Sequence, residues 1–156
     1  MPVTTATPFP LPAPMRRALA LAGAAASAGE VPIGAVVTRD GAIIGEGENR
    51  NRRDSDPSAH AEMVAIRAAA QALGDFRLTG CDLWVTLEPC AMCAGAISHA
   101  RIARLYYAAP DPKGGAVEHG ARIFSHAQCL HRPELYAGMG EQEAATLLRD
   151  FFAGLR

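Results

Sequence analysis

Two cysteines in this chain have the type and spacing of metal ligands. Cys90 and Cys93 are separated by Ala91 and Met92 and follow Pro89 directly. Because proline favours the start of a helix, both thiols are predicted in a first helical turn, where they can point to one place. The same pair also fits two buried thiols or a redox couple. The pair alone leaves these alternatives open, since it supplies only two of the four ligands that zinc takes.

His60 offers a third ligand at the predicted start of another helix. One imidazole and two thiolates, with a fourth position left open, are typical of a catalytic zinc site. The other cysteines and histidines, which show no tight ligand spacing, are Cys81, Cys129, His99, His119, His126 and His131. We therefore predict a zinc ion held by His60, Cys90 and Cys93, if the two helix starts face each other.

Glu62 lies two residues after this histidine and can accept and donate protons. Zinc lowers the pKa of a water that it binds from about 15.7 to about 7. A carboxylate beside that water can take a proton and pass it on. The alternative is structural, because a glutamate in a first helical turn also stabilises the helix dipole. The three ligands nearby favour the proton shuttle.

Apolar periodicity and turn signals predict an α/β fold around these residues. The predicted helices cover residues 15–28, 59–73, 90–100 and 141–152, with a short helix at 121–126. The predicted strands cover residues 33–38, 42–48, 83–87 and 102–108, with a brief last strand at 135–136. Asp40-Gly41 is a strong hairpin signal between the first two strands. A hairpin followed by β-α-β units predicts a mixed five-stranded sheet with helices on both faces.

Length and composition bound the class of protein. The chain has 156 residues and a mass of 16.4 kDa, which fits one domain, predicted over 14–156 after a flexible tail at 1–13. Hydrophobic residues make up 49% and charged residues 20%, which argues against a disordered chain or a coiled coil. The net charge of -1 argues against a non-specific, basic nucleic-acid binder.

The segment at 16–28 resembles a secretory signal, with two arginines, an apolar run and an A-x-A triplet. Its alanine-rich composition and the prolines that precede it favour an amphipathic helix instead. No run of residues reaches the ~18 apolar positions of a membrane span. We therefore predict a cytoplasmic protein, in which paired cysteines hold metal more often than they form disulfides.

The pattern H-x-E with P-C-x-x-C, at 60–62 and 89–93, is the signature of the zinc nucleobase deaminases. Longer segments resemble the bacterial tRNA-specific adenosine deaminases, in the zinc-dependent cytidine and deoxycytidylate deaminase superfamily. These segments are EVPIGAV at 30–36, DPSAHAE at 56–62, TLEPCAMCAGA at 86–96 and DPKGGA at 111–116. The resemblance covers about residues 15–153.

This resemblance implies a three-layer α/β/α sandwich of the cytidine-deaminase type. It also implies a hydrolase that converts the wobble adenosine of a tRNA anticodon, in bacteria that of an arginine tRNA, to inosine with release of ammonia. His60, Cys90 and Cys93 would hold zinc, and Glu62 would move protons to the purine and to the leaving amine. The family is usually a homodimer whose anticodon stem-loop site draws on both chains.

Four further positions are implied as substrate contacts. Asn49 matches an asparagine that touches the flipped nucleoside, and the backbone amide of Ala61 lies at a helix start beside the metal ligands. Asp111 matches a position that lines the nucleic-acid loop, and Lys113, the only lysine, could meet a phosphate. Asn49 and Asp111 would also suit turns, which is the structural alternative for both.

Other features bear on the substrate less directly. The chain departs from the family at Leu130, where an asparagine is common, and at Pro110, where some relatives have a polar or basic residue. A basic rim could come from Arg50, Arg52, Arg53, Arg101, Arg104, Arg122 and Arg132. Arginine suits phosphate binding and base stacking.

Three other functions remain possible on these patterns. The chain could deaminate a free base or nucleoside (guanine, cytosine or cytidine), and the same zinc site would serve. It could be a non-catalytic, zinc-stabilised RNA-binding module, although Glu62 favours an enzyme. It could be a thiol redox protein that uses Cys90 and Cys93. The loops at 49–58 and 110–116 and the Phe151-Phe152 terminus favour tRNA.

Overall fold

A computed structural model describes residues 4–5 and 10–155. The helices are α1 (Ala13–Ser27), α2 (Ala61–Leu73), α3 (Ala91–Ala100) and α4 (Glu141–Ala153), with a 3-10 turn at Ile123–Ser125. The strands are β1 (Thr4–Thr5), β2 (Gly34–Arg39), β3 (Ala42–Glu48), β4 (Cys81–Leu87), β5 (Arg104–Ala109) and β6 (Glu134–Ala137). The predicted α/β order is therefore confirmed, with differences of a few residues at the element ends.

The strands form one mixed sheet in the order β1-β6-β5-β4-β2-β3. Five of them are the predicted strands, and the two-residue β1 is an addition that pairs parallel with β6. Strand β2 is antiparallel to both β3 and β4, whereas β4, β5 and β6 run parallel. The carboxyl ends of β3, β4, β5 and β6 therefore lie at the same edge of the sheet as the start of β2. Ligand sites of α/β sheets form at such an edge.

The tight turn predicted at Asp40-Gly41 joins β2 to β3. Both residues have positive φ, 51° and 82°, as a two-residue hairpin turn of the favoured hand requires. Glycine adopts this conformation without strain, and aspartate tolerates it. The turn places Arg39 opposite Ala42, and beyond a one-residue register shift between Val37 and Thr38, Gly34 lies opposite Glu48. The end of β3 is thus brought back beside the start of β2.

Helices cover both faces of the sheet, which confirms the three-layer sandwich. On one face, the core combines α2 and α3 with the strands through buried residues such as Ala65, Ile97 and Leu83. On the other face, α1 and α4 pack through residues such as Met15 and Ala144. The segment at 16–28 is the predicted amphipathic helix, with buried residues at helical spacing: Met15, Ala18, Leu21, Ala22 and Ala25.

Helix α2 lies unusually close to β3 because glycines on the strand face it. A Cβ at Gly47 would lie 2.3 Å from the carbonyl oxygen of Ala61, and one at Gly45 would lie 2.5 Å from that of Ala65. Larger residues on the strand would therefore push the helix outward. This close contact sets the height of α2, and of the residues at its start, above the sheet.

The ends of the chain are only partly described. Helix α1 begins at Ala13, and most of the tail predicted at 1–13 lies outside the described residues, so its flexibility stays a prediction. Within that tail, Thr4–Thr5 contributes the short strand β1. Among the helices of the described part, none is long and apolar enough to cross a membrane.

Candidate active site

The three predicted metal ligands meet where α2 and α3 begin, beyond the carboxyl ends of β3 and β4. His60 precedes α2 and Cys90 precedes α3, each with an extended backbone that turns into the helix. Neither side chain caps its own helix, so both are available to point elsewhere. Cys93 lies in the first turn of α3 and is buried. The sheet thus joins two sequence segments that are 30 residues apart.

The distances between these side chains fit a zinc ion. The Sγ atoms of Cys90 and Cys93 each lie 3.5 Å from Nδ1 of His60, and the three ligand atoms all lie within 4.8 Å of one another. A tetrahedral zinc with ordinary bond lengths separates nitrogen from sulfur by about 3.6 Å. Within the described part of the chain, no fourth histidine, cysteine or acidic residue joins the cluster. The protein therefore supplies three ligands.

The two thiols are electrostatically different. A hydrogen bond from Cys93, opposed by burial and reinforced by the His60 imidazole, lowers the pKa of Cys90 to about 4. The same thiol–thiol contact, together with burial, raises the pKa of Cys93. The hydrogen bond to Cys90 also raises the pKa of His60. Because zinc binds cysteine as the thiolate, the raised pKa of Cys93 couples metal binding to proton release.

Glu62 is buried beside the cluster, with only 4% of the residue exposed. Burial, opposed by a backbone hydrogen bond and by His60 and reinforced by Cys90, raises the pKa of its carboxyl to about 7. A glutamate that only stabilised the helix dipole would have a lowered pKa instead. A carboxyl group with a pKa near neutrality can accept and donate a proton under physiological conditions. The environment of Glu62 therefore suits proton transfer.

Asn49 and Ala61, two of the predicted substrate contacts, are bonded to each other. The Oδ1 atom of Asn49 accepts a hydrogen bond of 2.9 Å from the backbone N–H of Ala61. Asn49 thus satisfies an amide at the start of α2 that His60 leaves uncapped. Only 5% of Asn49 is exposed. The position of this asparagine is therefore fixed by the same helix that carries the metal ligand.

The polar loop at 49–58 is anchored by Glu30, which the sequence patterns did not single out. Its buried carboxylate accepts hydrogen bonds from the backbone N–H groups of Arg52 and Arg53, and from Nε of Arg53. Burial alone would raise the pKa of Glu30, but these hydrogen bonds hold it below its usual value. Arg53 also donates to the carbonyl oxygen of Asn49. Glu30 therefore stabilises the loop that leads from β3 to the site.

Asp111 and Lys113 lie on the loop that follows β5. The Oδ1 atom of Asp111 accepts hydrogen bonds from the backbone N–H groups of Lys113 and Gly114. The turn role considered for this aspartate is therefore present, and the residue also faces the cleft described next. The loop backbone is bound in turn by Glu88, a second buried carboxylate that the sequence patterns did not single out. Burial alone would raise the pKa of Glu88, but hydrogen bonds from the loop hold it below its usual value.

A cleft of about 870 Å³ opens over these loops. Its lining residues are Val31, Ile33, Asn49, Asn51, His60, Leu87, Pro110, Asp111, Lys113, Leu148, Phe152 and Leu155. Four predicted site residues therefore line the same cleft: Asn49, His60, Asp111 and Lys113. Glu62 is buried and is not among the lining residues. Helix α4 and the residues after it contribute an apolar side. Leu148 and Leu155 were not predicted to line a cleft.

The arginines predicted as a basic rim are mostly engaged within the chain. Arg50 pairs with Asp54, Arg53 with Glu30 and Glu48, Arg104 with Glu134 and Asp82, and both Arg122 and Arg132 donate to backbone carbonyl groups. Of the two departures from the family, Pro110 lines the cleft and Leu130 is 80% exposed. The cleft's exposed cation is Lys113 rather than these bonded arginines.

Comparison with known proteins assigns this fold and site to a class. Residues 12–109 match the family model described as the cytidine and deoxycytidylate deaminase zinc-binding region. The chain therefore belongs to that family of zinc-binding deaminases. The match spans both ligand segments, so the prediction of zinc is confirmed, and the redox alternative has no further support.

Individual relatives narrow the assignment. A tRNA-specific adenosine deaminase of Agrobacterium fabrum is 59% identical over 123 residues, which are 79% of this chain and 81% of the relative. A solved structure from studies of A-to-I editing by tRNA:A34 deaminases at the wobble position of transfer RNA superimposes with a TM-score of 0.85. The two are 56% identical, over 86% of this chain and 98% of the other. Within the family, this chain therefore belongs to the tRNA-specific adenosine deaminases, which are hydrolases.

A second kind of deaminase is also similar. The structure of a guanine deaminase from Bacillus subtilis is 47% identical, with a TM-score of 0.61, over 62% of each chain. The shared zinc chemistry explains a likeness between enzymes that act on different purines. The substrate must therefore be argued from the cleft as well as from the metal cluster.

Proposed function

We propose that this chain converts the wobble adenosine of a tRNA anticodon to inosine, that the tRNA is an arginine tRNA, and that it acts in the cytoplasm. The observation that carries the proposal is the buried Glu62 beside the three-ligand cluster, at a cleft with polar and apolar walls. A nucleotide flipped out of an anticodon loop needs such a cleft, with a floor for the base and open sides for the backbone. High identity to the Agrobacterium relative supports the same substrate class.

Each member of the cluster has one task in this proposal. His60, Cys90 and Cys93 hold zinc, which when bound supplies the Lewis acidity that lowers the pKa of water towards neutrality. Glu62 removes a proton as the oxygen nucleophile attacks C6 of the adenine. It delivers that proton to N1, then takes the proton of the new C6 hydroxyl and passes it to the exocyclic amine, so that ammonia leaves and inosine remains. The neutral pKa of Glu62 suits both directions of transfer.

The cleft residues bind and orient the nucleotide. Because Oδ1 of Asn49 is bonded to Ala61, the amide nitrogen of Asn49 is the group that remains to donate to the nucleoside. Lys113 provides an exposed positive charge for a phosphate. Asp111 holds the turn that presents this lysine and faces the anticodon loop from the same wall. The apolar side chains of α4 exclude water from the opposite side.

A direct comparison of substrates tests the proposal. We expect inosine to form in an arginine anticodon stem-loop that has adenosine at the wobble position, and not in the same stem-loop with that adenosine moved one position along. A wobble adenosine in the stem-loop of another tRNA should react about tenfold more slowly, since each altered base contact costs about 1–3 kcal/mol. Ammonia release and sequencing of the RNA measure these rates.

The same assay with free guanine, cytosine and cytidine tests the second candidate, deamination of a free base. The similarity to the Bacillus subtilis guanine deaminase favours it, although that likeness covers 62% of this chain. Turnover of free bases without any turnover of the stem-loop would refute the tRNA proposal. Equal rates on both stem-loops would refute the arginine tRNA and leave the wobble reaction standing.

We also propose that the chain is a homodimer whose tRNA site includes both copies. An apolar cleft of about 370 Å³ lies beside α3, and Leu130 at its rim is 80% exposed. A second copy would remove this apolar surface from water. Light scattering should give twice the mass of 16.4 kDa, and Leu130→Glu should shift the protein towards the monomer. A monomer at micromolar concentration would contradict the proposal.

A further inference from the structure

Glu88 occupies an unusual position between the metal site and the loop that follows β5. It lies between the end of β4 and Pro89-Cys90, and its side chain is fully buried. Its carboxylate accepts hydrogen bonds of 3.0 to 3.1 Å from four backbone N–H groups, those of Asp111, Val117, Glu118 and His119. The Nδ1 atom of His119 lies 2.7 Å from the same carboxylate.

These five contacts fill the hydrogen-bonding capacity of the carboxylate, which is about four lone-pair positions. Oε1 binds the amide of Asp111 and the His119 ring, while Oε2 binds the amides of Val117, Glu118 and His119. All of these partners belong to the loop at 110–119. One buried side chain therefore binds both ends of a loop that has no helix or strand of its own.

The loop backbone is wrapped directly against this carboxylate. A Cβ at Gly115 would lie 2.5 Å from Oε2 of Glu88, so only glycine fits at that position. The backbone N–H of Ala116 also donates to the carbonyl oxygen of Pro89, at 2.8 Å. The loop is thus bonded to Glu88 and Pro89, the two residues that immediately precede the ligand Cys90.

We propose that Glu88 is a positioning residue for substrate recognition, which sets Asp111 and Lys113 over the cleft relative to the metal ligands. The inference rests on the proposed function, because it assigns those two residues to the RNA. Glu88 is not one of the clustered metal ligands and does not line the cleft. It acts through the backbone N–H of Asp111, whose side chain in turn shapes the turn that carries Lys113.

Glu88→Gln tests this assignment with almost no change in shape. The glutamine oxygen can take the place of Oε2 and accept from the same three backbone N–H groups. Its NH₂ group then takes the place of Oε1 and can donate to Nδ1 of His119. The amide of Asp111 is the one donor that loses its acceptor. Because a buried donor without a partner is costly, we expect this end of the loop to open. Glu134→Gln, the same chemical change at an exposed site on β6, is the matched control.

Two measurements on the zinc-loaded protein are needed, and one is independent of RNA. In Glu88→Gln, amide hydrogen exchange should increase at Asp111 and Lys113, because the two prolines that flank Asp111 carry no N–H, and it should stay unchanged in β4. The KM for the anticodon stem-loop should rise about tenfold or more with kcat within about threefold, because contacts made before and during the reaction are weakened together. Zinc content should equal that of the control. If Glu88→Gln does not fold, Gly115→Ala disturbs the same contact from the loop side and should give the same pattern.

The outcomes are distinguishable. Unchanged exchange and unchanged KM in the folded variants would overturn the inference. Loss of zinc, or a fall in kcat larger than the rise in KM, would also overturn it, since Glu88 would then support the metal site itself. The variant could show faster exchange at Asp111 and Lys113 while the wild type fails to react with the stem-loop. That result would uphold the role of Glu88 in holding the loop. That last result would refute the proposed tRNA substrate instead.

Discussion

Glu62→Ala is expected to lower kcat on the anticodon stem-loop by about 10²- to 10⁴-fold, which is the usual contribution of a positioned acid-base group. The variant removes the buried carboxyl whose pKa responds to the side chains of the metal ligands. Zinc and RNA binding should persist, because Glu62 is not one of the three clustered ligands. Rates from single-turnover assays, zinc content and RNA affinity together check this expectation.

Glu143→Ala is the matched control for this variant. Glu143 also lies in the first turn of a helix, α4, but it is exposed and far from the cluster in sequence. If glutamate in a first turn mattered only through the helix dipole, the two variants would have similar, small effects of at most about 1 kcal/mol on stability. Turnover by Glu62→Ala at the rate of the control would contradict the proton-transfer role and would favour a non-catalytic module.

Cys90→Ser is expected to remove bound zinc and, with it, all measurable deamination. A serine hydroxyl is nearly isosteric with the thiol but does not ionise near neutral pH, whereas the pKa of Cys90 is about 4 in this site. Losing a supporting residue near a metal typically costs 10- to 100-fold in affinity, so losing a ligand should cost at least about 100-fold. Elemental analysis of the dialysed protein measures the zinc, and thermal unfolding should show a lower Tm.

Cys129→Ser serves as the control for the cysteine variant. Cys129 is half-buried and its Sγ donates to the carbonyl oxygen of His131, a bond that a hydroxyl can also make. This variant should keep its zinc and its activity. A Cys90→Ser protein that still holds stoichiometric zinc would show that the cluster is not the metal site. A disulfide between Cys90 and Cys93 in active wild-type protein would instead favour the redox alternative.

Several local features follow from sequence patterns because their causes are local. The Asp40-Gly41 turn needs two residues that accept positive φ, and both the residue types and the short spacing are visible in the chain. Helix α1 follows from an apolar, alanine-rich run after a proline-rich segment. The helix starts at His60 and Cys90 follow from their place after a loop and a strand. Such features involve residues fewer than about ten positions apart.

The anchoring carboxylates were not predictable in the same way. Glu30 and Glu88 are ordinary glutamates by sequence, and charged residues are usually exposed. Each is buried only because a loop 22 to 31 residues further along the chain folds back and satisfies it with backbone amides. Both lie in segments quoted for the family resemblance, so that resemblance was the one available signal. It marked the segments without indicating what these two residues do.

By itself, the sequence determined the chemistry of the site: one imidazole, two thiols and a carboxylate at two helix starts, within an α/β order of elements. Only the tertiary structure decided that His60 Nδ1 and both sulfurs lie within 4.8 Å of one another, and that Glu62 is buried enough to have a pKa of about 7. The reason is that β2 lies between β3 and β4 and runs antiparallel to both. This long-range pairing sends the ends of β3 and β4 to one edge of the sheet, and residue spacing along the chain carries no direct record of it.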